Sequence, residues 1–169
     1  NHFGPSDLDL WQYDGWSTSS TTGGIFFYED ANVSTPWGPR PNYGRGEVRT
    51  YLRDNAMYSE PTATWIGHAT LLVQMEHLTF LTDPIWSNTP SPIPFAGPNR
   101  FVKPGIALDD LPAIDFVIIS HNHYDHLDLP TLRKLAKRNP ETIFFVPIGN
   151  GKLLRKNGID QVKEMDWGD

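Results

Sequence analysis

The feature that most constrains this chain is a dense group of metal-ligating side chains directly after an apolar run. The predicted strand Ile114–Ser120 is followed, within six residues, by His121, His123, Asp125 and His126. Residues two apart in an extended segment project to the same side, so His121 and His123 can converge on one ion. The turn that follows offers Asp125 and His126 to a neighbouring point. The pattern therefore predicts a metal site at the carboxyl end of a buried strand, where α/β proteins carry their sites.

The residue types narrow the chemistry of that site. The chain contains no cysteine, which excludes disulfide frameworks, cysteine zinc fingers and thiol nucleophiles. Imidazole and carboxylate ligands without thiolate suit zinc, with manganese and iron as competitors. The alternative is that these residues are surface polar groups that cap the next helix. Capping accounts for one or two of them but has no comparable use for three histidines and an aspartate, so we favour the metal site.

The second half of the sequence alternates between strand-like and helix-like segments. Asp128 is a suitable N-cap for the first predicted helix, Pro130 fits its first turn, and Gly158 ends the second. The predicted elements are the strand Ile114–Ser120, the helix Leu129–Arg138, the strand Thr142–Pro147, the helix Lys152–Lys156 and the strand Asp160–Met165. This alternation is typical of an α/β fold.

Three short β-rich runs precede that half. Thr64–Ile66, Thr70–Val73 and Leu78–Leu81 predict a meander, with Glu76 and His77 in a tight hairpin connection. A meander followed by alternating strands and helices predicts a mixed sheet.

Two stretches predict loops. Residues 84–104 contain six prolines, which lack the backbone donor that a central strand needs, so we expect a long structured loop. Residues 1–60 are rich in Ser, Thr and Gly and predict a loop-rich amino-terminal arm. The aromatic residues of the arm indicate that it packs on the body formed by residues 61–169.

Composition bounds the remaining classes of protein. The chain has 169 residues with 38% hydrophobic and 12% aromatic content, which is enough for one packed domain. Its formal charge of −6 provides no basic field for a nucleic-acid backbone. No run approaches the roughly 18 consecutive apolar residues of a membrane span. The chain begins at Asn1 without a basic and apolar leader, so we expect that a leader was removed or never present.

The ligand cluster also carries a resemblance. Residues 121–126 form the HxHxDH signature, and the sequence resembles the metallo-β-lactamase superfamily. Several separated segments match, in order, the branch of the N-acyl phosphatidylethanolamine-hydrolysing phospholipase D and its bacterial relatives. They are Thr64–Thr70, Leu81–Ile85, Gly97–Phe101, Leu111–Asp115, Ser120–Asp128 and Val146–Gly149. The resemblance covers about residues 61–169.

This resemblance implies a fold, a cofactor and residue roles. The fold is the αβ/βα sandwich of that superfamily, with this chain supplying about the first half. The cofactor is two zinc ions, one bound by His121 and His123 and the other by Asp125 and His126. Asp125 is also the implied catalytic residue, because it fixes the second ion and accepts a proton from the nucleophile. Asp83 is implied to orient the site without binding metal.

The residues alone leave some of these roles open. Asp83 before Pro84 fits a strand-ending turn as well as it fits a site residue. His68 either supports the metal site or is a satisfied histidine between two strands. We expect His77 and His2 to be exposed and uninvolved.

The family also supplies a third histidine, a bridging aspartate and a last histidine, and none of these is found after His126. We therefore expect a complementary C-terminal half, or a second chain, to complete both the core and the site. A first half-sandwich alone would leave one apolar sheet face uncovered.

The implied function is a phosphodiesterase of the phospholipase D type. It would hydrolyse N-acyl phosphatidylethanolamine-like phospholipids with a water activated between two metal ions, in peripheral contact with a membrane. Ile85, Trp86, Ile93, Phe95 and Phe101 either line a wall for acyl chains or pack the loop down. The alternatives are a hydrolase of the same fold that acts on a lactone, a cyclic nucleotide or a nucleic-acid phosphodiester, and a non-catalytic half-domain. We expect no nucleic acid as a binding partner.

Overall fold

A seven-stranded mixed sheet forms the body of the protein. The computed structural model describes residues 24–27, 45–58, 61–91, 97, 99–100 and 103–169. The strands lie side by side in chain order. They are β1 (Gly24–Phe27), β2 (Thr62–Gly67), β3 (Thr70–Met75), β4 (Leu78–Thr82), β5 (Phe116–Ile118), β6 (Ile143–Pro147) and β7 (Val162–Met165). Strands β2, β3 and β4 pair antiparallel, whereas β1 pairs parallel with β2, and β4 to β7 form a parallel set.

The antiparallel part is the predicted meander. Its second connection consists of Glu76 and His77, whose φ angles are 48° and 66°. Positive φ at both central residues is what a type I′ hairpin turn requires. The predicted meander and its tight connection are therefore confirmed.

Three α-helices and one short 3₁₀ helix accompany the sheet in the described residues. They are α1 (Arg45–Tyr58), the 3₁₀ helix Leu108–Asp110, α2 (Leu129–Arg138) and α3 (Gly151–Lys156). Helix α2 has the predicted bounds and buries Leu132 and Leu135, which lie three residues apart on one helix face. Helix α3 begins one residue earlier than predicted and is followed by Gly158, whose φ of 75° stops the helix as expected.

One face of the sheet packs against the helices. Helix α1 joins this face through polar contacts: Asn55 Nδ2 donates to Thr62 Oγ1 at 3.1 Å, and Gln74 Nε2 donates to the Leu52 carbonyl at 2.7 Å. The buried core residues from sheet, loops and helices are Leu52, Ile66, Leu72, Leu81, Ile106, Leu111, Ile114, Val117, Ile119, Leu127, Leu132, Leu135, Phe144, Val146, Leu154 and Ile159.

The opposite face of the sheet is apolar but only partly buried. Phe80, Phe116 and Phe145 form an aromatic ladder across β4, β5 and β6, with ring centroids 4.5 and 5.6 Å apart. All three are half-buried, and Ile118 beside them is 39% exposed. The alternation of buried and partly exposed residues along β2 to β6 shows that, within the described residues, the core lies on the helix side. We name this second side the open sheet face.

The predicted mixed α/β sheet is confirmed, and the differences lie at strand ends. β5 has three residues rather than the predicted Ile114–Ser120. The Ile119 amide still donates to the Phe145 carbonyl, at 2.9 Å. The Ser120 amide, which comes next, donates to the carboxylate of Asp83 at 2.7 Å instead of to a neighbouring strand. The strand ladder therefore ends because the side-chain network of the cluster begins. Strand β7 starts at Val162 instead of Asp160.

The amino-terminal arm contains two regular elements where loops were expected. β1 and α1 both fall within residues 1–60, so the segment that we predict to be rich in loops includes a short strand and a helix. The rest of the arm lies outside the described residues. Among the helices of the described residues, none has the length and apolar character needed to cross a membrane.

Candidate metal centre

The predicted ligand cluster forms at the carboxyl ends of two neighbouring parallel strands. Asp83 directly follows β4, and one residue separates Ser120 from the end of β5. A compact turn then folds the cluster back on itself, because the amides of His126 and Leu127 both donate to the carbonyl of His123, at 2.9 and 2.7 Å. Pairing of β4 with β5 therefore brings Asp83 to residues that lie about forty positions later in the chain.

Asp83 is the buried support of the cluster. Its backbone has a φ of 38°, which is strained for a residue other than glycine. Its carboxylate accepts from the Ser120 amide at 2.7 Å, the Ser120 hydroxyl at 2.7 Å and His126 Nδ1 at 2.8 Å. A carboxylate that holds Nδ1 of an imidazole leaves Nε2 without a proton and fixes the orientation of the ring. Asp83 thus fixes the ring of His126 with its Nε2 atom unprotonated.

His121 and His123 converge as the sequence predicts. His121 Nε2 lies 3.1 Å from His123 Nδ1. The ring centroids of His121 and His126 are 4.1 Å apart. Two nitrogens bound to one tetrahedral zinc at about 2.0–2.1 Å are about 3.3 Å apart. The separation of the two nitrogens fits a shared metal ion.

His68 approaches the cluster from the connection between β2 and β3. Its φ is 52°, and Trp65 Nε1 donates to its carbonyl at 2.9 Å. Its Nε2 lies 3.0 Å from Asp125 Oδ2, and ligand atoms of His68, Asp125 and His126 all lie within 4.8 Å of one another. Of the two interpretations left open by the sequence, the structure favours contact with the site.

Asp125 is ionised more readily than an ordinary aspartate. Burial raises the pKa of its carboxyl, but its backbone hydrogen bond, the charge of His126 and the hydrogen bond and charge of His68 together outweigh burial, so the pKa is lowered. His126 Nε2 lies 3.6 Å from Asp125 Oδ2. Asp125 therefore presents a carboxylate beside the free nitrogen of His126, as a metal ligand should.

Asp128 does not have the predicted capping role. It occupies the N-cap position of α2, but its side chain caps none of the helix amides. Its carboxylate instead accepts from the amides of Trp86 and Ser87 at 3.2 and 3.0 Å, the Ser87 hydroxyl at 2.7 Å and the Thr131 hydroxyl at 2.5 Å. The carboxylate of Asp128 thus bonds to Trp86 and Ser87, more than forty residues earlier in the chain, and not to the first amides of α2. It holds this part of the 84–104 loop against the start of α2.

Arg100 ties the same loop to the connection that carries His68. Arg100 Nη2 donates to the Ile85 carbonyl at 2.6 Å. A Cβ on Gly67 would lie 3.2 Å from Arg100 Nη1, and the φ of Gly67 is 142°, so glycine permits this close approach. Burial lowers the pKa of Arg100, and the charge of Asp128 opposes that shift.

Other residues singled out in the sequence lie away from the cluster or outside the described residues. His77 is exposed in the hairpin turn. Ile85 is buried, and Trp86 packs on the core with its Nε1 donating to the Ile106 carbonyl at 2.9 Å. These two residues pack the loop down and do not form a wall for acyl chains. His2, Ile93, Phe95 and Phe101 lie outside the described residues.

Sequence reasoning missed Ser120 and the partners of Asp128. Ser120 bonds both Asp83 and His121, and its only sequence signal is its position directly before the first histidine. The partners of Asp128 carry no sequence signal, because they come from a loop distant along the chain.

Comparison with known proteins supplies the family context. A model of the "Beta-lactamase superfamily domain" matches residues 79–169. N-acyl-phosphatidylethanolamine-hydrolyzing phospholipase D 1 of Caenorhabditis elegans is 44% identical over 112 residues, covering 63% of this chain and 32% of the relative. A 4-amino-L-phenylalanyl peptidyl-carrier-protein 3-hydroxylase of Streptomyces venezuelae is 33% identical over 115 residues, covering 63% of this chain and 20% of the relative.

A solved structure supports the same fold. The crystal structure of isothiocyanate hydrolase from Delia radicum gut bacteria matches with a TM-score of 0.51 and 26% identity, covering 62% of this chain and 41% of that one. The present chain spans about a third of the length of the nematode phospholipase.

Proposed function

The chain belongs to the β-lactamase superfamily, and we propose that it carries half of the active site of a metal-dependent phosphodiesterase. Within the superfamily it resembles the branch of the N-acyl-phosphatidylethanolamine-hydrolysing phospholipases D. The substrate we propose is an N-acyl phosphatidylethanolamine-like phospholipid. The observation that carries the proposal is the convergence of three histidines and two aspartates at the ends of β4 and β5. The relative's name supplies the substrate class.

The donor set fits two divalent metal ions. We assign one ion to His121 and His123, whose facing nitrogens are 3.1 Å apart, and the other to Asp125 and His126. Nitrogen and carboxylate oxygen donors favour zinc, with manganese and iron as competitors. Asp83 supports this assignment, since it holds the Nδ1 atom of His126 and leaves Nε2 for the metal.

When bound, two such ions supply an activated water and positive charge for the phosphoryl oxygens. The residues of this chain act on the geometry around them. Asp125 remains a carboxylate at neutral pH, consistent with its lowered pKa. His68 donates to Asp125 Oδ2 at 3.0 Å, which restrains the orientation of that carboxylate. Asp125 can also accept a proton from the nucleophile, as a general base must.

The site and the core require a second contribution. We propose that a C-terminal half-sandwich, or a second chain, supplies the missing ligands and covers the open sheet face. The half-buried ladder of Phe80, Phe116 and Phe145 supports this proposal, because soluble proteins rarely leave a large contiguous apolar face in water. The length of the nematode phospholipase also supports a second contribution, since this chain spans about a third of that relative.

A phospholipid substrate would bring the protein into peripheral contact with a membrane. Tyr124, between the predicted ligands, is 50% exposed and offers an aromatic ring at the rim of the site. The exposed basic residues of α2 and α3 are available to anionic headgroups. Basic residues are exposed in the same way on helix faces that contact only solvent. The proposal therefore depends on the metal cluster and the relative, and not on these residues.

The competing functions are separable by assay. The alternatives are hydrolysis of a lactone, a cyclic nucleotide or a nucleic-acid phosphodiester, and a non-catalytic half-domain. A hydroxylase among the relatives adds hydroxylation as a further alternative. The test is release of N-acylethanolamine and phosphatidic acid from N-acyl phosphatidylethanolamine in mixed micelles, beside a lactone and a cyclic nucleotide, before and after removal of metal by a chelator.

With the complementary half present, we expect chelator-sensitive hydrolysis of the phospholipid that zinc restores, and loss of that hydrolysis in Asp125→Asn. The matched control is His77→Ala, because His77 is an exposed histidine in a hairpin turn away from the cluster. Preferential hydrolysis of the lactone or the cyclic nucleotide would contradict the proposed substrate. Chelator-insensitive hydrolysis would contradict the metal mechanism.

A further inference from the structure

We propose that Ser120 is a positioning residue, through which the buried carboxylate of Asp83 orients His121 as well as His126. The inference rests on the proposed function only in treating these histidines as metal ligands. If it holds, one carboxylate sets the ring orientation and tautomer at both predicted metal positions, directly for His126 and through a hydroxyl for His121.

The geometry of Ser120 connects the two groups. Its hydroxyl oxygen lies 2.7 Å from Asp83 Oδ2 and 2.9 Å from His121 Nδ1. Its backbone amide donates to Asp83 Oδ1 at 2.7 Å, which fixes the position of Ser120 relative to the carboxylate. Asp83 is buried, so the carboxylate has few other donors to choose from.

Counting protons assigns the direction of each bond. A serine hydroxyl has one proton, and an ionised carboxylate can only accept. The Ser120 proton therefore points to Asp83, because two oxygens 2.7 Å apart without a proton between them would repel. The hydroxyl oxygen must then accept from His121, so the ring of His121 carries its proton on Nδ1.

This tautomer is the one that a metal site needs. With its proton on Nδ1, His121 presents an unprotonated Nε2, the atom that lies 3.1 Å from His123 Nδ1. His126 is held in the same tautomer, because its Nδ1 donates directly to Asp83 Oδ2 at 2.8 Å. Both imidazoles therefore present Nε2 to the cluster, and the proton of Ser120 is what extends this control to His121.

Nitrogen-15 NMR of the histidine rings in the metal-free full chain tests the relay, because the two ring nitrogens have distinct shifts in each tautomer. The spectra are recorded about 1.5 pH units above the ordinary imidazole pKa of about 6.5, so that most rings are neutral. We expect the Nδ1–H form of His121 in the wild type and a mixture of the two forms in Ser120→Ala. His126 should keep the Nδ1–H form in both proteins. Ser120→Thr should restore the Nδ1–H form of His121, because it keeps the hydroxyl.

The chain offers a matched control for the loss of one serine hydroxyl on a buried aspartate. Ser87 Oγ donates to Asp128 Oδ1 at 2.7 Å, the same length as the bond from Ser120 to Asp83, but within the described part of the chain it has no hydrogen bond to a histidine. Ser87→Ala should leave the tautomers of both His121 and His126 unchanged. An effect of Ser87→Ala on His121 equal to that of Ser120→Ala would overturn the proposal.

Metal affinity gives the second readout. Zinc competition against a chromogenic chelator should show one of the two sites weakened about tenfold in Ser120→Ala, with the other unchanged. The wild-type spectrum alone can overturn the proposal, if His121 carries its proton on Nε2. Failure of the proposed function looks different: the wild type would then bind no zinc or hydrolyse no phospholipid, while the tautomer of His121 would still follow Ser120.

Discussion

Asp83 and Asp128 are two buried carboxylates on either side of the same histidine cluster, and they do different work. Asp83 is 6% exposed and Asp128 is 4% exposed, so burial does not distinguish them. Asp83 accepts from one amide, one hydroxyl and an imidazole, whereas all the donors of Asp128 are amides and hydroxyls. The donors therefore separate a carboxylate that orients a proposed metal ligand from one that holds a loop segment.

The largest effect should come from a third aspartate, which is a predicted ligand and is not buried. Asp125→Asn should lower turnover by about 10³-fold, since it removes a charged ligand and a proton acceptor. Its effect on the free energy of unfolding should stay within about 0.5 kcal/mol, because its side chain is 41% exposed. Turnover and urea unfolding of the same sample check both parts. Retained turnover would contradict the role of Asp125.

The next effect is on stability, at Asp128. Asp128→Ala leaves the half-buried amide and hydroxyl of Ser87 and the buried hydroxyl of Thr131 without their acceptor, while the Trp86 amide keeps Thr131 Oγ1 at 3.0 Å. We expect a loss of about 3 kcal/mol in the free energy of unfolding, measured by urea denaturation. Metal bound per folded molecule should not change. Loss of metal in a folded Asp128→Ala protein would contradict the different roles assigned to Asp83 and Asp128.

Asp83→Asn should change metal binding more than stability. If the amide oxygen takes the place of Oδ2, it can still accept from the Ser120 hydroxyl and His126 Nδ1, but the NH₂ group then faces the Ser120 amide, which is also a donor. In the flipped orientation the NH₂ group faces the Ser120 hydroxyl and His126 instead. We expect zinc affinity to fall about 10- to 100-fold, as for other residues that orient metal ligands. Chelator competition measures this change. Unchanged affinity would show that the histidines are oriented without Asp83.

The smallest effect is expected at Ser87. Ser87→Ala removes one of four donors to Asp128 and should cost about 1 kcal/mol of unfolding free energy, with no change in zinc affinity. Comparison with Ser120→Ala, which removes a bond of equal length at Asp83, isolates the contribution of the imidazole partner. Equal zinc affinities in the two variants would contradict the proposed relay.

Local sequence signals predicted the fold where local interactions determine it. The helix Leu129–Arg138 and the turn at Glu76 and His77 follow from proline, apolar spacing and hairpin length. Helix α1 was missed, because it contacts the sheet partly through Asn55, which bonds Thr62, and through a backbone carbonyl. Such polar packing leaves a weak hydrophobic period in the sequence.

The candidate site divides in the same way. Convergence of His121 and His123 follows from their spacing along one extended segment. The contact of His68 with Asp125 and the choice of partners by Asp128 depend on strand pairing and on a loop distant in sequence. No local pattern encodes those contacts, so only the three-dimensional arrangement reveals them.

The central claim is that the histidine cluster binds metal, and elemental analysis of the purified protein tests it most directly. Together with the half that completes the site, the wild type should contain about two divalent ions per molecule, as a dinuclear site requires. A folded variant with both His121→Ala and His126→Ala should contain almost none. Equal metal content in the wild type and this variant, or a wild type that holds no metal after incubation with zinc, would contradict the account.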